Sequence, residues 1–190
     1  ANRTFEADSL ALYDDQLCEY APAIHQARER FVEAFIPMLK HNYAQIAGER
    51  EAVGLRYRSR LNEVSMRDLL AESLAKDRLL QYSTAGPHRE DLLFELHGRS
   101  LRQVGSQGQQ KSYLVALKLA TFDSLTQNLG AKPILLLDDV FDKLDAERVE
   151  GLIRLVNDDH FGQIFLSDTH RDRTELLLQS VDADAKVFEL

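Results

Sequence analysis

Three short stretches carry residue types that chemistry can use. The first is Ile134-Leu135-Leu136-Leu137-Asp138-Asp139, an apolar run that ends in two adjacent carboxylates. In open α/β sheets, ligands bind at the carboxyl ends of the strands. There one carboxylate can hold a Mg²⁺ ion, commonly through water, and the other can orient or deprotonate an attacking water. A surface turn after a buried strand would give the same pair, because Asp is common in turns. The second stretch is Gly105-Ser106-Gln107-Gly108-Gln109-Gln110-Lys111, directly before a long helical pattern. Small residues let backbone approach an anion, and a helix N-terminus offers free N–H groups and the positive end of its dipole. Ser106 can donate to a phosphate, or can serve only as an N-cap. The third is Ser167-Asp168-Thr169-His170, which ends the next apolar strand and brings His170 to the sheet edge that holds Asp139.

The elements that must position these groups follow from periodicity. Residues 9–47 read as helix, with Leu10, Tyr13, Leu17 and Tyr20, then Ala27, Phe31, Phe35 and Leu39, at spacings of three and four. Pro22 and Pro37 predict a break and a kink, and Gly48 a C-cap. A strand is expected over 51–58, where Val53, Leu55 and Tyr57 alternate. Ser65 and Asp68 resemble a capping box that opens a helix to about Lys76. After Arg78 the pattern changes. Strands are expected at 79–83, 92–97 and 101–104, with a turn at Thr84-Ala85-Gly86-Pro87 and a hairpin at His97-Gly98. A helix over 109–129, ended by Gly130, places Leu114, Leu117, Thr121 and Leu125 on one face. Residues 134–137 read as a parallel strand covered on both faces. A helix over 145–157, a strand over 164–166, a helix over 172–178 and a strand over 185–189 complete an α/β pattern.

Composition sets the limits. The chain has 190 residues, is 44% hydrophobic and 28% charged, and has one cysteine, Cys18. That excludes an internal disulfide and a Cys-rich metal site, and suits a reducing cytoplasm. Cys18 reads as a small buried hydrophobe. No apolar run reaches the roughly 20 residues of a membrane helix, so no membrane partner is expected. The polar start without an initiator Met suggests a piece of a longer chain. Net charge is −8, and residues 138–190 hold 14 acidic and 6 basic side chains, which accounts for all of it. Residues 1–137 balance at 17 against 17, so a local basic surface is possible. Arg56, Arg58 and Arg60 alternate, and on a strand would share one face with a spacing suited to phosphates. A charged, solvated strand edge is the other reading.

Taken together, the three stretches resemble the second half of a P-loop ATPase of the ATP-binding-cassette/SMC type. Ser106, Gln107, Gly108, Gln109 and Gln110 look like the signature motif, Asp138 like the Walker B aspartate, and Leu144-Asp145 like the D-loop. Asp139 takes the place of the usual catalytic glutamate, and His170 that of the switch histidine. Gly86-Pro87-His88-Arg89, Gly105 to Ser112, Leu117-Lys118-Leu119-Ala120, Leu136 to Asp145 and Asp168-Thr169-His170 are similar to the RecF family in particular. The resemblance covers most of the chain, is most specific from Gly86 to His170, and is weakest in the first third.

The resemblance implies a fold: the C-terminal part of an ATPase head over residues 79–190, with a mainly helical arm over 1–78. It also implies a mechanism, in which two protomers sandwich two ATP molecules with Mg²⁺. Ser106 and Asp145 of one protomer complete the site of the other, and hydrolysis releases the dimer. The dimer would clamp gapped or junction DNA and act with RecO and RecR to help load RecA in repair, replication restart and the SOS response. Two departures qualify this. Aspartate in place of the catalytic glutamate fits slow turnover. No G-x-x-x-x-G-K-[ST] loop occurs in the chain, so the phosphate cradle is expected on a missing N-terminal half, and this piece alone is not expected to hydrolyse ATP. Two rivals remain: a fragment of another SMC/Rad50-like or transporter ATPase, and a non-enzymatic dimerisation or docking module.

Overall fold

The computed structural model describes residues 7–156, 160–168 and 186–188. The helix expected over 172–178 and His170 lie outside the described residues. Of the strand expected over 185–189, only 186–188 are described, and they carry no regular structure.

Helix α1 (Ala7–Ala47) runs unbroken for 41 residues, so Pro22 and Pro37 neither end nor divide it. Each proline removes one intrahelical bond, and both are exposed, where water can take the carbonyl left over. The buried stripe is Ala21, His25, Val32, Phe35, Leu39, Tyr43 and Ile46, whereas Tyr13, Tyr20 and Phe31 are exposed. The periodicity was right, and its phase holds at Phe35 and Leu39 but not at Tyr13, Tyr20 and Phe31. The largest apolar side chains were expected inside, but in the first half of α1 the inward face is carried by Ala21 and His25. Cys18 is half-buried rather than buried. Gly48 ends the helix with φ +73°.

Two compact units share these elements: residues up to Ala34 with Leu55–Leu93, and Phe35–Gly54 with the chain from Phe94 onward. In the first, Ser65 caps α2 (Met66–Leu80) through the Asp68 N–H. That helix extends to Leu80 and ends at Gln81 in the left-handed region, so no strand forms over 79–83. Arg89 clips its own turn by donating to the Ser83 carbonyl at 3.0 and 2.7 Å. Glu90 accepts from Arg28 Nη1 at 2.5 Å, from Ser59 at 2.6 Å and from the Tyr57 hydroxyl. Burial alone would raise the Glu90 pKa, but these donors outweigh it and hold the carboxyl below the usual range.

Strands β1 (Val53–Arg58), β2 (Asp91–Leu96) and β3 (Arg99–Ser100) form one sheet in that order. The β2–β3 turn places His97 and Gly98 at φ +50° and +71°, as a two-residue hairpin requires. Residues 101–104 form a helical turn, α3 (Leu101–Val104), instead of the expected strand. The hairpin pairs only Glu95 with Ser100 and Leu96 with Arg99 before the chain turns away.

Helix α4 (Gln107–Leu129) is closed by Gly130. Its buried face is Ser112, Tyr113, Val115, Ala116, Leu119, Ala120 and Phe122, while Leu114 and Leu125 are exposed. The core face mixes small residues with Tyr113, Leu119 and Phe122, and the row of Leu114, Leu117, Thr121 and Leu125 did not select it. Strand β4 (Leu135–Asp138) pairs in parallel with β5 (Ile164–Ser167), and α5 (Ala146–Val156) lies between them in sequence. This is an α/β arrangement, but the sheet is not covered on both faces by the described residues. Leu135 and Leu137 are buried, whereas Ile134, Leu136 and Phe165 are 58%, 64% and 51% exposed.

Candidate nucleotide site

The site is built at the ends of β4 and β5 and at the start of α4, all within the second unit. The parallel register sets Asp138 opposite Ser167. The Ser167 hydroxyl donates to Asp138 Oδ1, which turns that carboxylate into a fixed acceptor at the strand end. Asp139 leaves the strand with φ +47°, a sparsely populated conformation for a residue with a Cβ. Three backbone bonds hold it there. Its N–H donates to the Ser167 carbonyl at 3.1 Å and to the hydroxyl at 3.3 Å, and Lys111 Nζ donates to its carbonyl at 2.9 Å. Strain of this kind is tolerated where surrounding contacts over-determine the backbone.

Ser106 caps α4 in a full capping box. Its oxygen accepts from the Gln109 N–H at 3.2 Å, and Gln109 Oε1 accepts from the Ser106 N–H at 2.9 Å. Capping uses the oxygen as acceptor and leaves the hydroxyl hydrogen for an anion, so the N-cap reading and the phosphate reading describe the same geometry. The first-turn N–H groups of Gln107 and Gly108 have no intrahelical acceptor, as at any helix start. Gly108 faces the loop after β4. A Cβ there would lie 3.0 Å from the Lys143 carbonyl oxygen, so glycine lets the first turn close onto that loop. Gln110 Nε2 donates to the Gly105 carbonyl at 2.8 Å and steadies the entry to the helix. Asp145 begins α5, its Oδ1 accepting from the Arg148 N–H at 2.9 Å.

Glu51 and Arg148 were not foreseen, and Lys111 and Ser167 lay in stretches that were singled out but had been given no role of their own. Glu51 and Arg148 are nearly buried, at 17% and 11% side-chain exposure, and form an ion pair of 2.7 Å. Burial would raise the Glu51 pKa. Hydrogen bonds from Tyr43, Gln109 and Arg148 prevail and hold it below the usual range. Burial and the bond to Glu51 push the Tyr43 hydroxyl up to about 12. Arg148 could have been suspected from its place three residues after Asp145, but nothing local marks Glu51. Elsewhere, Arg58 pairs with Asp91 at 3.0 Å and Arg60 with Glu72 at 2.7 Å. Arg56 and Arg58 are on β1 and exposed, but Arg60 lies past the strand end in a 3₁₀ turn (Arg60–Asn62), so the three arginines do not share one strand face as expected. Among the described residues, no three His, Cys, Asp or Glu side chains form a metal cluster.

No family model matches the chain. Curated proteins do. It is 46% identical over 189 residues to the DNA replication and repair protein RecF of Flavobacterium johnsoniae, covering 100% of this chain and 53% of that protein. The RecF proteins of Parabacteroides distasonis and Bacteroides fragilis are 42% and 39% identical, with 52% and 51% of their lengths covered. Over its whole length the chain is similar to RecF proteins. It spans about half the length of the curated relatives it matches. Solved structures agree. The recombination mediator protein RecF–ATP of the RecFOR pathway superposes with a TM-score of 0.72 at 26% identity, over 90% of this chain and 48% of that one. The RecF–ATPrS structure gives 0.73 at 26% identity, over 96% and 48%. These matches favour RecF over the rival SMC, transporter and docking-module readings.

Proposed function

We propose that these 190 residues supply the trans-acting and carboxylate part of an ATP site whose phosphate cradle lies on the other half of a RecF protein. The observation that carries this is the packing of the signature turn, Ser106 to Gln110, against the loop between Asp139 and Asp145, through Lys111 and Gly108. In this reading Ser106 and the α4 N-terminus bind the γ-phosphate of a nucleotide held by a partner protomer, and Asp145 meets that partner across the interface. Asp138 fits a Mg²⁺ site, since that ion takes one or two carboxylates and completes its shell with phosphate oxygens and water. Bound there, the ion would neutralise phosphate charge. Asp139 orients or deprotonates the attacking water, and His170 is assigned the switch-histidine role. Residues 1–78 would form the arm and 79–190 the head lobe. The exposed face of Ile134, Leu136 and Phe165 would be covered in the whole protein.

The whole protein would then be an ATP-dependent homodimer that clamps gapped or junction DNA in the cytoplasm. It would act with RecO and RecR, and through them RecA, in repair, replication restart and the SOS response. No helix among the described residues is long and apolar enough to cross a membrane. Ser106→Ala in the full-length protein tests the trans role. A hydrogen bond to a charged group is worth about 1.5–3 kcal/mol, so ATP-dependent dimerisation should weaken by about ten- to a hundredfold. Nucleotide binding by the monomer should persist. Sedimentation with and without ATP reads the first and equilibrium nucleotide titration the second. Dimerisation as tight as that of the parent protein would refute the assignment.

The assignment of Arg56, Arg58 and Arg60 to DNA has a separate test. Because Arg58 and Arg60 already hold carboxylates, phosphate must compete with Asp91 and Glu72. Replacing all three by alanine in the full-length protein should weaken gapped-DNA binding and flatten its salt dependence by about 0.9 in log–log slope per lost phosphate contact. An unchanged slope would leave these arginines only their pairing role.

A further inference from the structure

One carboxylate oxygen connects two motifs that are far apart in sequence. Glu51 Oε1 accepts from Gln109 Nε2 at 2.9 Å and from Arg148 Nη2 at 2.7 Å. On one side, Gln109 is the residue whose Oε1 closes the capping box on the Ser106 N–H. An amide has one acceptor end and one donor end. With its NH₂ held by Glu51, Gln109 must present its oxygen to Ser106. On the other side, Arg148 Nε reaches Asp145 Oδ2 at 3.2 Å, and its Nη1 donates to Ser112 Oγ in α4 at 3.1 Å. The second Glu51 oxygen accepts from Tyr43. Each polar group of this cluster thus has a partner, as nearly buried charges require. The cluster touches neither Asp138 nor Asp139 in any of these contacts.

We propose that Glu51 and Arg148 are positioning residues that hold the Ser106 turn and Asp145 in one fixed relation, so that a partner protomer meets both at once. This rests on the trans-site reading above. Two contacts presented in register avoid the ordering cost that independently mobile loops would incur on association. Tyr43 and Gly48 set Glu51 in place: α1 ends at Ala47, Gly48 turns the chain, and the Tyr43 hydroxyl catches the carboxylate three residues later.

The test uses the full-length protein with Glu51→Gln, Arg148→Lys, Ser106→Ala and the double variant Glu51→Gln with Ser106→Ala. Glu51→Gln keeps the shape and loses the charge that takes two donors at one oxygen, and Arg148→Lys loses the guanidinium that spans Asp145, Ser112 and Glu51. Each is expected to weaken ATP-dependent dimerisation by about tenfold. Nucleotide affinity of the monomer should not change. In the double variant the loss should be smaller than the sum of the two single losses, because part of the effect of Glu51 runs through the Ser106 turn. Additive losses in the double variant would overturn the positioning role. So would loss of monomer nucleotide binding in both Glu51→Gln and Arg148→Lys, which would assign the pair to folding. If Ser106→Ala weakens the dimer and neither Glu51→Gln nor Arg148→Lys does, this proposal fails while the trans-site reading stands. A silent Ser106→Ala removes both.

Discussion

Asp139→Asn in the full-length protein is expected to retain ATP binding and to lose about 10²- to 10⁴-fold in hydrolysis, the range a positioned general base contributes. The substitution isolates chemistry from backbone. Asp139 sits at φ +47°, and asparagine is among the few residues with a Cβ that tolerate that region. The bonds that hold the loop run from the Asp139 N–H to Ser167 and from Lys111 to the Asp139 carbonyl, and a side-chain amide leaves both intact. Asp139→Val would instead force a β-branched residue into the left-handed region and confound loss of the base with a displaced Asp138 loop. Single-turnover hydrolysis beside an equilibrium nucleotide titration separates the steps. Hydrolysis at the parent rate would exclude Asp139 as the base and shift attention to His170 or to the other half of the protein.

The site was legible where function is written in consecutive residues. Asp138 and Asp139 end a strand because an apolar run stops there, and Ser106 caps a helix because the helical pattern starts there. Both follow from local rules. What sequence could not supply was the third dimension of the same site. Lys111 is one basic residue among 23 lysines and arginines, and only the fold brings its amine to the Asp139 carbonyl. Glu51 and Gln109 are 58 residues apart, and Glu51 and Arg148 are 97 apart. No periodicity links such positions. Most elements were legible as to type, though residues 79–83 and 101–104, expected as strands, are a helix end and a helical turn, and two further errors were systematic. Prolines were read as breaks in a helix whose solvent side absorbs them. Helix faces were phased by large apolar residues, although Tyr13, Tyr20, Phe31, Leu114 and Leu125 are exposed while Ala21, His25, Ser112 and Ala116 are buried beside Phe35, Leu39, Leu119 and Phe122. The second error has a physical cause. Close packing of a helix on its neighbours selects small and shape-matched residues, and a hydrophobicity count does not see shape.

That same close packing gives Gly151→Ala a sign opposite to the one helix propensity predicts. Gly151 lies inside α5, where alanine should be favoured over glycine by about 1 kcal/mol. A Cβ at this position, however, would lie 2.7 Å from the Ile46 carbonyl oxygen, 2.8 Å from that of Gln45 and 3.1 Å from the Ile46 carbonyl carbon. All three are backbone atoms of the last turn of α1, so no side chain can rotate away and the two helices must separate. Overpacking of this kind costs about 1–3 kcal/mol. The rigid contacts place Gly151→Ala toward the upper end, which outweighs the propensity gain. Thermal unfolding should show a midpoint lowered by about 2–4 °C for each net kcal/mol lost. A midpoint equal to or above that of the parent would mean that α5 does not rest on the end of α1. The substitution should also reach the nucleotide site. The turn that carries Glu51 begins at Gly48, two residues beyond Ile46, and Arg148 is less than one helical turn before Gly151. Separating the helices therefore stretches the 2.7 Å pair between Glu51 and Arg148. Weakened ATP-dependent dimerisation is expected beside the lowered midpoint, with the nucleotide affinity of the monomer retained.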